Sequence, residues 1–131
     1  MDNKLMQAAI EQFGGQEDFE ERAEDVTQYG IDGGFNDWIY YSDTCEFFQS
    51  NRALILKFAQ EQASDFGMGL FEMFKSFNCM RSLEVTEEEI AEAIYTNEGE
   101  CADQIQNCLA WYVAEEACRE FVAGREQEGE D

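Results

Sequence analysis

The chain has 131 residues, a length that makes one domain rather than two. Its hydrophobic fraction of 44%, with 11 Phe, 5 Tyr and 2 Trp, supplies a core and excludes an acidic disordered chain. Thirty acidic residues against eight basic ones leave a net charge of −22, which excludes direct nucleic-acid binding through Lys and Arg. The absence of histidine excludes His-based acid–base catalysis, Ser-His and Cys-His nucleophile pairs, and His-containing zinc sites.

The pattern reads as helical almost throughout, and with no proline no helix loses a backbone donor. Lys4–Phe13 carries Leu5, Met6, Ala9, Ile10 and Phe13 at helical spacing, and Gly14-Gly15 ends it. A second helix spans Gln16–Tyr29, with Phe19, Ala23 and Val26 as its apolar stripe and Gly30 as its stop. Residues 30–42 are the least regular stretch: glycines, then the large apolar run Trp38–Tyr41, read as a loop into a buried helical turn. Asp43-x-x-Glu46 reads as a capping box that opens a long helix to about Phe66. Phe47, Phe48, Leu54, Ile55, Phe58 and Ala59 form its buried stripe, and Asn51 falls among them as a core polar group that needs partners.

Gly67 and Gly69 then punctuate, and Leu70, Phe71, Met73, Phe74 and Phe77 make a short apolar helix. Thr86-Glu87-Glu88-Glu89 is a capping box, with Val85 and Ile90 placed to form a hydrophobic staple, and that helix runs to about Thr96. Asn97-x-x-Glu100 reads as the opening of the last helix, whose stripe includes Ile105, Cys108, Leu109, Tyr112, Val113, Cys118, Phe121 and Val122. The expectation is an all-α fold: a single compact domain of five or six helices over residues 1–124, with 125–131 a frayed acidic tail.

The longest strictly apolar run, Cys108–Ala114, is far short of a membrane span, and no targeting segment is visible, so the expected compartment is the cytoplasm. Five cysteines without a C-x-x-C pair read as reduced, buried thiols, and their spacings fit no common zinc site. Asp32–Asp43 has a faint calcium-loop pattern, but Gly34 and Asp37 stand where that loop needs an oxygen ligand and a glycine. No catalytic motif stands out, so neither an enzyme nor a cofactor or metal is expected.

Charge is uneven along the chain. Residues 1–30 carry eight acids and two bases, and residues 86–131 carry fourteen and two, whereas residues 31–60 carry four and two. Glu17, Glu20, Glu21, Glu24 and Asp25 recur at spacings that put them on one helical face. Together with Glu87, Glu88, Glu92, Glu115 and Glu116 they are the candidate partner-binding residues. At one charge per ~1.7 Å of duplex axis, a net charge of −22 matches ~37 Å of DNA, about the length of a domain of this size. Solvated acids that serve only solubility give the same count.

The block Tyr29–Leu56, with Gly33-Gly34-Phe35, Ile39-Tyr40-Tyr41-Ser42-Asp43-Thr44 and Asn51-Arg52, resembles a segment shared by small proteins of bacteriophages and related mobile elements. Asp65-Phe66-Gly67 and Ser76-Phe77-Asn78-Cys79 continue the likeness. It brings no catalytic residues, but it implies a setting: a phage or mobile element in the cytoplasm of a host bacterium. In that setting small acidic helical proteins are often anti-defence proteins. The resulting expectation is an inhibitor of a CRISPR–Cas effector or a restriction enzyme, a mimic of DNA charge that binds a nucleic-acid-binding host defence protein. It would bind neither nucleic acid nor membrane, and would be a monomer or small homo-oligomer. Two alternatives stand beside it: an acidic module that binds a basic host or phage protein without competing with DNA, and a phage accessory protein without mimicry.

Overall fold

Where the chain turns, it uses the residues that a positive φ requires. Gly14 and Gly15 have φ of 113° and 85°, in the left-handed region that glycine enters without a Cβ penalty. A Cβ on Gly14 would also lie 2.9 Å from that of Asp18. The turn therefore joins two helices with almost no linker, as the Gly14-Gly15 pair predicts. The computed structural model describes residues 1–29, 41–77, 80 and 84–129. Among them are six α-helices and no strand: α1 (Asn3–Gln12), α2 (Gly15–Tyr29), α3 (Tyr41–Asp65), α4 (Leu70–Lys75), α5 (Glu87–Thr96) and α6 (Ala102–Gly129).

The all-α single-domain expectation holds, and four local readings are corrected. First, α3 begins at Tyr41, so Asp43 lies inside its first turn rather than at its cap. There its carboxylate still faces the positive end of the helix dipole. Second, α3 is kinked: Asn51 has φ −131° and ψ 26°, and its Nδ2 donates to the Phe47 carbonyl at 3.1 Å. A side-chain amide thus bonds a carbonyl one turn back, which is how a half-buried Asn is accommodated at a break in a helix.

Third, Asn97 does not open α6. It closes α5 in the left-handed conformation, φ 63°, which Asn tolerates better than most residues. Fourth, α6 continues through Gly124 to Gly129, past the expected end of the domain's last helix. A single glycine inside a long helix costs only about 1 kcal/mol, too little to end it. The segment Asp32–Tyr40, with the calcium-like pattern and most of the aromatic run, lies outside the described residues.

The α6 helix is the spine. It packs against α3, α2, α5 and α1, while α1 also meets α2 and α3, and α4 rests on α3. Ile105, Leu109, Ala110, Val113, Ala114, Ala117 and Cys118 are all essentially inaccessible to solvent, so α6 is buried around much of its circumference. Small residues Ala110, Ala114 and Ala117 let neighbouring helices approach it. Phe19, Phe47, Phe48 and Phe74 fill the remaining space, each fully buried. Burial of one such side chain is worth roughly 1.5–3 kcal/mol. Phe77 stacks on Tyr112 with ring centroids 4.6 Å apart, and Phe13 meets Phe47 at 5.1 Å.

Candidate functional site

The α2 helix divides cleanly into two sides. Phe19 and Ala23 are fully buried, and the Phe19 ring meets Phe121 of α6 edge-on at 5.4 Å. Opposite them Glu17, Glu21 and Glu24 are exposed, with Glu20 and Asp25 half-buried along the flanks. The five expected carboxylates do share one side of a helix whose other side is locked in the core. Asp18, exposed beside Glu17, belongs to the same surface and was not in the expected set. Its position in the first helical turn is the signal that would have included it.

In α5 the acids crowd the helix start. Thr86 Oγ1 accepts from the Glu89 backbone N–H at 3.1 Å, and Glu89 Oε1 accepts from the Thr86 N–H at 3.3 Å. This is the capping box that the sequence predicts. It occupies Glu89 and leaves Glu87 and Glu88 exposed beside it, with Glu92 half-buried one turn on. Ile90, Ala93 and Ile94 hold the helix to the core.

In α6 the expected residues behave differently. Glu115 and Glu116 are half-buried, and both pair with Arg119, at 2.6 and 3.2 Å. One guanidinium offsets half of the charge of these two carboxylates, so they contribute less to an outward field than two unpaired acids would. Glu120 is also engaged, by the Met1 amino group at 2.7 Å. Two contacts that anchor α2 and α5 fall at different levels of the spine. Phe19 contacts α6 at Phe121, whereas Ala93 of α5 accepts a hydrogen bond from Gln106. With ~1.5 Å of rise per residue, these levels are roughly 22 Å apart along α6.

Near the α5 end of the spine lies a polar junction that the sequence reading missed. Gln106, 1% exposed, donates through Nε2 to the Ala93 carbonyl at 2.7 Å and to Asn97 Oδ1 at 2.6 Å. Gln49 of α3 donates to Gln106 Oε1 at 2.8 Å. Arg52 donates to Gln49 Oε1 at 2.8 Å and also to Asn97 Oδ1, and its guanidinium lies 5.4 Å from the Phe48 ring centroid. Its Nη1 reaches the Tyr95 carbonyl at 3.4 Å, in the last turn of α5. One of the few cations in the chain therefore sits at the negative end of the α5 dipole and locks α5 to α3. Nearby, Thr44, fully buried, donates to Asn107 Oδ1.

Two side chains of α6 titrate well above their ordinary range. Burial, reinforced by Glu116 and Glu115, pushes the Tyr112 hydroxyl up to about 12, and burial reinforced by Glu115 pushes the Cys118 thiol up to about 12. A thiol with so high a pKa is a poor nucleophile at neutral pH. The reading of all five cysteines as reduced is corrected at Cys108, which is disulfide-bonded, while Cys101 and Cys118 are free thiols. Spacing along the chain reports C-x-x-C pairs but not thiols brought together by tertiary packing. A cleft of about 180 Å³ lies among Asp2, Leu54, Lys57, Phe58 and Glu61. It is smaller than the ~300 Å³ at which ligand pockets begin. No group of three or more potential ligand side chains could hold a metal among the described residues. No helix among them is long and apolar enough to cross a membrane.

Neither the curated proteins nor the solved structures contain a match to the chain. A family model does match, over residues 2–127, which takes in α1 to α5, all but the last two residues of α6, and both acidic faces. The chain belongs to that family, the domain of unknown function DUF7222.

Proposed function

We propose that the protein inhibits a bacterial defence system from within the host cytoplasm by placing DNA-like charge in the basic nucleic-acid site of its target. The observation that carries this reading is the outer face of α2. Glu17, Glu21 and Glu24 are exposed, and Phe19 and Ala23 on the opposite side are fully buried. A helix anchored in this way presents carboxylates ~5–6 Å apart on a surface that does not need to be ordered on binding. The net charge of −22 steers it toward a Lys- and Arg-rich groove and makes association salt-sensitive. A CRISPR–Cas effector or a restriction enzyme is the target class that the phage-like central block favours.

A second reading draws on the separation of the two anchor points and on Arg119. Two acidic helices anchored to α6 at points roughly 22 Å apart, with Arg119 paired to Glu115 and Glu116, suit an acidic module that grips a basic protein without filling its DNA site. The two readings differ in competition. Tagged protein is used to capture partners from bacterial lysate at low and high salt, and duplex DNA is then added. Mimicry predicts one DNA-handling complex, released by both salt and DNA. It also predicts that the variant carrying Glu17→Lys, Glu20→Lys, Glu21→Lys and Glu24→Lys captures at least tenfold less of it, with unchanged helical circular dichroism. A complex that salt releases but DNA does not supports the module. Full retention by both this variant and the one carrying Glu87→Lys, Glu88→Lys and Glu92→Lys removes charge from the explanation altogether.

A further inference from the structure

We draw no further inference here: the strongest candidate, the apolar edge where Phe66, 63% exposed, and the half-buried Met68, Leu70 and Phe71 line the turn from α3 into α4, carries nothing because nothing in the structure shows what covers it.

Discussion

The two helices that carry the acidic faces are attached to the same spine by different chemistry. The α2 helix meets α6 through aromatic and small apolar side chains, with Phe19 against Phe121 and Ala23 beside them. The α5 helix adds to its apolar stripe a set of directional bonds from Gln106, Gln49 and Arg52 that end on Ala93, Tyr95 and Asn97. Apolar contact is strong but tolerant of sliding, because it scales with area and not with angle. A network of side-chain amides is weaker per bond but fixes register, because each donor has one place to point. The α2 face thus rests on packing around Phe19, and the α5 face adds the Gln106 and Arg52 bonds to its apolar stripe, so each can be disturbed at its own residues.

The largest effect is expected from Phe19→Ala. It removes a fully buried ring from the α2–α6 contact and should cost about 3–5 kcal/mol in urea unfolding. The disturbance should concentrate on α2, with amide exchange rising there before it rises in α5. If α5 loosens to the same extent, the two attachments are not independent and the contrast drawn above fails.

The next effect tests the spine itself. Cys118 and Tyr112 both lie on α6, and burial raises both, from 9.0 and 10.0 respectively to about 12. The neutral forms are favoured in the fold, so the unfolded chain releases its protons first. Stability is therefore fully present below pH 9 and is lost as pH rises from 9 to 12. Cys118 is fully buried and accounts for most of the loss, on the order of 3 kcal/mol by pH 12. Tyr112 is half-exposed and adds less. Denaturant midpoints measured from pH 8 to pH 11.5 should fall, and in Cys118→Ala the fall should begin about one unit later. An unchanged profile in that variant would remove Cys118 as its cause.

Which parts of this were legible in the sequence follows from the range of the forces involved. Capping at Thr86 and Glu89, the Gly14-Gly15 turn and the apolar stripe of α2 depend on residues within one or two turns of each other, and periodicity reports them directly. The division of α2 into a buried and an acidic side was readable for the same reason. The junction was not. Gln49, Arg52, Asn97 and Gln106 come from three helices, and in the sequence each is an ordinary polar residue on a helical stretch. Asn97 is ambiguous in the sequence because a left-handed cap and an N-cap favour the same residue, and Glu100 three positions on points to the second. The pairing of Glu115 and Glu116 by Arg119 lies within one turn and was available from spacing alone.

A smaller loss is expected on the α5 side from Gln106→Leu. The change keeps the volume near constant but leaves the Ala93 carbonyl and Gln49 Nε2 each without one partner. A buried polar group left unpaired costs about 1–3 kcal/mol. Arg52→Lys should fall in the same range, because an ammonium cannot span Gln49, Asn97 and the Tyr95 carbonyl as the planar fork does. A double-mutant cycle of the two should show coupling above about 0.5 kcal/mol. Additive effects would mean that the junction is a set of separate bonds and holds no common register.

The smallest effect, Thr86→Ala, separates stability from presentation. The Thr86 hydroxyl accepts from the Glu89 N–H, and without it the first turn of α5 loses a cap worth about 1 kcal/mol. Ile90, Ala93 and Ile94 keep the body of the helix in the core, so global unfolding should move by no more than that. Glu87 and Glu88, in the uncapped turn, should fray, and amide exchange at residues 88–90 should quicken well before that at 93–96. The α2 face has no part in this cap. Partner capture that falls in Thr86→Ala as far as in the α2 charge-reversal variant would place the binding surface at the start of α5. Unchanged capture would leave α2 as the face that matters, and would give the acids of α5 the local role that their position in a first turn already explains.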